Sequence, residues 1–164
     1  MTRVEDKIRS IVEYMGKLTY VFEDMQGANL KLDSAELPAF VNVMPLTGNI
    51  RITPMQVKYF PRCSFWFVDK VDIDNDGEGI QDVVNRCMDY AYEFILTMNQ
   101  SKMFEPVENT DLNIQVVKSD MDANVAGVVL EMQPREREGL NLCYGKEPRE
   151  YFDDNEGRCT EGCQ

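Results

Sequence analysis

Histidine is absent from the 164 residues. That removes the side chain used most often for general acid–base work near neutral pH, and a common zinc ligand with it. G-x-S-x-G, the phosphate-binding P-loop and G-x-G-x-x-G are missing too. Carboxylates acting as an acid–base pair, or a Lys or Cys nucleophile, form the weaker class, because 29 acids make some proximity inevitable. The expectation is a protein that is not an enzyme and uses no cofactor. No apolar run approaches the ~20 residues of a membrane span. The opening MTRVEDKIRS is charged and has no apolar signal core, so no secretory peptide is expected. The five cysteines, Cys63, Cys87, Cys143, Cys159 and Cys163, are odd in number and suggest no disulfide framework. Cys159 and Cys163 sit four apart, but without histidine or a second close pair they make a poor zinc set. Cys87 falls on an apolar helical stripe and reads as core.

Charge is abundant and one-sided. A net charge of −12 argues against a protein that reads nucleic acid, which needs a cationic face to offset phosphate. It suits a surface that DNA slides past, and it also serves solubility alone. Against that background one absence stands out: no acid occurs from Leu37 to Val68, where Arg51, Lys58 and Arg62 lie. The following span concentrates Asp69, Asp72, Asp74, Asp76, Glu78, Asp82 and Asp89. This segregation of sign is the most informative charge feature in the chain.

The stretch Ser64–Gln100 organises the rest. Its first ten residues alternate, with Phe65, Phe67, Val71 and Ile73 on one face and Trp66, Val68, Lys70 and Asp72 on the other, as a strand requires. After an acidic turn, Ile80, Val83, Val84, Cys87, Met88, Ala91, Phe94, Ile95 and Met98 recur at helical steps. A strand feeding a long amphipathic helix predicts a two-layer α+β domain. Upstream, Val4, Ile8, Ile11, Met15, Leu18, Phe22 and Met25 predict a first helix over 3–25 that stops at Gly27, with a loop over 28–37. Ala39–Leu46 reads as a strand that ends, or lies at an edge, at Pro45. Ile50–Ile52 and Gln56–Phe60, separated by Thr53-Pro54, read as a projecting hairpin arm. Leu112, Ile114 and Val116 mark a strand face, and Ala126, Val128, Leu130 and Met132 mark its returning partner, with Gly127 at a bulge or close contact. The fold expected is a small, mostly antiparallel sheet packed by two long helices over residues 1–133. The segment 134–164 is too mixed for a core of its own and reads as an extended arm, with Leu140, Leu142, Tyr144, Tyr151 and Phe152 as anchors along a partner.

Two local features have competing readings. Asp72, Asp74, Asp76 and Gly77 imitate the start of a calcium loop, but position eight is Gly79 and position twelve is Val83 where a bidentate Glu belongs. An ordinary turn and helix cap is preferred to a weak calcium site. The central strand is apolar on both faces, so Trp66 and Val68 need cover as well. The first helix is the expected cover, ahead of a neighbouring subunit.

The opening helix, LPAFVNVMPL, the basic arm, FWFVDKVDIDNDG leading into a long helix, and the closing NVAGVVLEMQ together resemble the tail-terminator and neck-ring proteins of tailed bacteriophages. The similarity covers residues 4–133 and rests on element order. It implies a virion subunit, assembled in the bacterial host, that forms a six- or twelve-fold ring at the head–tail junction. Portal, connector or tail proteins would be its neighbours, and DNA would pass through the lumen. The long extension after Gln133 departs from that pattern. On this reading Arg51, Lys58, Arg62, Tyr59, Phe60 and Trp66 meet a neighbour, with Asp72, Asp74 and Asp76 as the opposite patch. The competing reading is an acidic monomeric or dimeric protein-binding module, calcium-tuned or DNA-mimicking.

Overall fold

A computed structural model describes residues 4–54, 56–71, 77–118 and 124–137. The chain is α+β, with the order α1 (Val4–Met15), β1 (Thr19–Glu23), α2 (Met25–Leu32), β2 (Ala39–Thr53), β3 (Gln56–Lys70), α3 (Gly77–Gln100), β4 (Asn113–Lys118) and β5 (Val125–Met132). The strands form one sheet in the order β1-β2-β3-β5-β4. Every pairing is antiparallel except β1 with β2.

The expected first helix is three elements. α1 ends where Gly16 takes φ +66, a left-handed conformation that glycine adopts without a Cβ penalty, and Gly16 N–H donates to the Val12 carbonyl at 3.2 Å. Leu18, Phe22 and Met25 fit a helical row, but Leu18, Tyr20 and Phe22 equally fit a strand, and pairing with β2 decides for the strand. Asp24 then caps α2 by accepting from the Gly27 amide at 2.7 Å. Gly27 thus lies inside a helix and stops nothing. Much of the expected loop over 28–37 is helix as well, and of the two long helices expected only α3, at 24 residues, is long.

One face of the sheet carries Phe40, Phe65, Phe67, Val128 and Leu130 against Ile8, Ile11 and Val12 of α1 and Val84, Cys87, Ala91 and Phe94 of α3. The rings of Phe40, Phe65, Phe67 and Phe94 meet with centroids 5.1–5.8 Å apart, mostly tilted or edge-on, as aromatic quadrupoles favour. The opposite face carries Val21, Val41, Val68 and half-buried Trp66, packed with Ala28 and Leu32 of α2. The short helix that pattern reading passed over therefore covers Trp66 and Val68. α1 lies with α3 on the other side.

Gly127 is a close-approach position: a Cβ there would sit 1.9 Å from the Phe67 carbonyl oxygen. On edge strand β4, Ile114 and Val116 share the face that pairs with Leu130 and Val128, as expected, but the edge leaves them uncovered. Ile114 and Val116 are exposed at 36% and 50%, while Val117, on the other face, is buried. Residues 134–137 belong to the body and not to an arm. Glu105 N–H donates to the Arg135 carbonyl at 2.7 Å, and Phe104 bridges to Glu136. The Glu136 carboxylate also pairs with buried Lys7.

Candidate assembly interface

The hairpin reading holds, but the hairpin is larger than expected. β2 does not stop at Pro45. It runs through an irregular stretch between Val43 and Thr47, where the register shifts, and continues to Thr53. Pro45 is tolerated there because the ladder is interrupted. β1 ends opposite Val43 and β5 ends opposite Cys63, so beyond those points β2 and β3 pair only with each other among the described residues. Residues 47–62 are accordingly a two-stranded arm rooted in the centre of the sheet.

Register sorts the arm into two faces. Ile50 pairs with Tyr59 and Ile52 with Val57, and these four share one face with Gly48 and Pro61. Arg51 pairs with Lys58 on the other face, together with Asn49 and Phe60. The apolar four are exposed at 51–76%. Leu46, in the irregular stretch, is 93% exposed. Phe60, in contrast, is buried. Its carbonyl accepts from the Gln133 side-chain amide at 2.8 Å, and the Arg51 guanidinium lies 5.2 Å from its ring centroid. Tyr59 is fixed by its own neighbour, because its ring rests where a Gly48 Cβ would be, 2.5 Å from that position. The same Cβ would sit 2.6 Å from the Phe60 backbone carbonyl oxygen, which cannot swing away as the ring can, so glycine fits that position.

The expected contact set therefore divides. Tyr59 lies on the exposed apolar face. Arg51, Lys58 and Arg62 fall on the opposite face by alternation along β2 and β3. Phe60 anchors the arm to the body, and Trp66 packs over α2 with its indole N–H donating to the Ser64 hydroxyl at 3.1 Å. Neither presents an open contact surface. Asp72, Asp74 and Asp76 lie outside the described residues, as do Leu140, Leu142, Tyr144, Tyr151 and Phe152. Ile50, Ile52 and Val57 are the strongest exposed features of the arm. Their signal was a period-two pattern with no partner element to bury it.

Burial pushes the Cys63 and Cys87 thiols up to about 12, with nearby Glu5 and Asp69 respectively adding to the shift, so neither is a poised nucleophile. Burial likewise raises Tyr20, whose hydroxyl accepts from the Asn42 amide at 3.1 Å. An open cleft of about 370 Å³ lies between the loop after α3 and the end of β5, with Glu105, Glu108 and Arg135 in its wall. Among the described residues no group of three or more Cys, Asp or Glu is placed to hold a metal ion. Among the described residues no helix is long and apolar enough to cross a membrane.

The chain was compared with known protein families, with curated proteins and with solved structures, and it matches none of them.

Proposed function

We propose that this chain is a structural ring subunit of a phage head–tail junction, a tail terminator or neck ring around the DNA channel. One observation carries the reading: a two-stranded arm leaves an α+β body and exposes Ile50, Ile52, Val57 and Tyr59 on a single face. A two-stranded ribbon gains little stability from exposing such a face, and apolar surface of this kind marks a contact site. The resemblance in element order supports the same reading, and so does an acidic body past which DNA would slide without sticking. Closed rings need heterologous contacts between two different patches, and a projecting arm supplies one of them.

Light scattering after size exclusion tests the reading, on the chain alone and mixed with the adjoining ring of the same particle. A symmetric oligomer in either setting is the expected result. A chain that remains a monomer or simple dimer in both settings would favour the acidic binding module.

A further inference from the structure

We propose that the apolar face of the arm docks on the outer face of α3 in a second copy of the chain, with Tyr92 and Leu96 as its seat. This rests on the ring reading and names the surface that completes it.

By alternation along β3, Val57, Tyr59 and Pro61 continue the side of the sheet that bears Cys63, Phe65 and Phe67. In the body that side is covered by α1 and α3. On the arm the same side lies bare, so the natural occupant is a helix face with apolar side chains. α3 offers one. Asp82, Asp89, Tyr92 and Leu96 follow one another at helical steps, and Tyr92 and Leu96 are exposed at 57% and 62%.

Contact within one chain is excluded, because the arm's apolar residues and Tyr92 and Leu96 are all exposed in the same molecule. Charge favours a copy of this chain as the partner. The arm lies within the acid-free span, with Arg51, Lys58 and Arg62, whereas α3 has Glu78, Asp82 and Asp89, and Glu93 that Lys17 already pairs at 2.8 Å, against Arg86. Arg86 is already engaged by Asp69 at 3.0 Å. Arg51, which stacks on the Phe60 ring, lies with Lys58 and Arg62 on the far face of the ribbon, so their charge acts on the α3 acids at longer range. These charges set register and speed encounter, and the apolar contacts supply the attraction. Arm and α3 are different patches, so the contact is heterologous and repeats from subunit to subunit.

Two variants of the full chain test this. One carries Ile50→Thr, Ile52→Thr and Val57→Thr, and the other Tyr92→Lys and Leu96→Lys. All five positions are exposed, and circular dichroism with thermal unfolding checks that both variants fold. Each alone should be monomeric up to millimolar concentration, its self-association weakened on the order of 30-fold or more. Mixed in equal amounts, they retain one good arm and one good seat. They should form a one-to-one heterodimer that grows no further, while the unaltered chain assembles past two. If the α3 variant assembles as the unaltered chain does, or the mixture stays monomeric, the seat is wrong and the ring reading stands. An unaltered chain that stays monomeric at millimolar concentration also overturns the inference, because the contact needs no third protein. The ring reading is then decided by co-assembly with the adjoining ring.

Discussion

β3 is one strand with two environments. From Cys63 to Val68 its inward side chains are buried, and both faces are covered, by α1 and α3 on one side and α2 on the other. A few residues earlier, Val57 and Tyr59 continue the same alternation but stand 68% and 51% exposed. The backbone ladder to β2 is shared throughout, apart from the irregular stretch. Strand identity is thus set by pairing, and stability by what covers the pair. In the body both faces of the strand are covered, whereas on the arm one apolar face is left bare.

The largest test of that division lies in the body. Phe94 is fully buried between α3 and the sheet and touches the rings of Phe40, Phe65 and Phe67. Phe94→Ala should cost about 3–5 kcal/mol in urea unfolding. A loss below about 1 kcal/mol would mean that the aromatic cluster does not carry the body.

The next effect sharpens where the body ends. Lys7 keeps only 7% of its side-chain exposure and pairs with Glu136, while Glu136 keeps 24%. Glu136→Ala strands a buried ammonium and should cost about 3 kcal/mol. Replacing both, with Lys7→Met and Glu136→Leu, should recover most of that loss, since an apolar pair leaves no buried charge. Truncation after Gln133 removes Glu136 and should destabilise the body likewise, whereas truncation after Arg137 should not.

These contrasts show how much the sequence reveals unaided. The α+β class, the long helix after the central strand, the closing hairpin and the arm are all readable, because each has an undiluted period and a clear turn. The split of the first helix is not. Leu18 and Phe22 satisfy both periods, and only pairing with β2, a contact distant in sequence, selects the strand. Lys7 looks like a wet-side lysine until residues 134–137 fold back to pair with it. For the arm, alternation identifies the apolar face, but nothing local announces that helices cover this side of the sheet in the body and leave it bare beyond. Phe60 and Trp66 look like contact residues by type, and burial against their own chain decides otherwise.

The two regions also separate by pH. Cys63 and Cys87 lie in the body, with thiols raised from 9 to about 12 by burial. The unfolded chain releases these protons at lower pH than the folded chain does. The stabilisation from keeping the thiols neutral is therefore whole below about pH 9 and falls as the pH rises toward 12. Unfolding midpoints measured across that window should drop. With both cysteines replaced by Ala, the drop should be shallower.

The smallest expected change lies in the arm. Ile52→Ala should alter the stability of the dilute chain by no more than about 0.5 kcal/mol, the range for exposed positions. The same substitution should slow or weaken assembly. A stability loss of core size would mean that the arm is part of the fold after all.

Amide hydrogen exchange along β3 tests the division most directly, because it compares both environments within one strand. In the dilute chain, amides from Phe65 to Val68 should open only with global unfolding. Those from Val57 to Tyr59 should exchange many times faster through local opening. On assembly the arm amides should slow toward the body's rate, while the body's own rates change little. Equal, high protection along the whole strand in the dilute monomer would contradict the account, because the arm would then be complete without a partner.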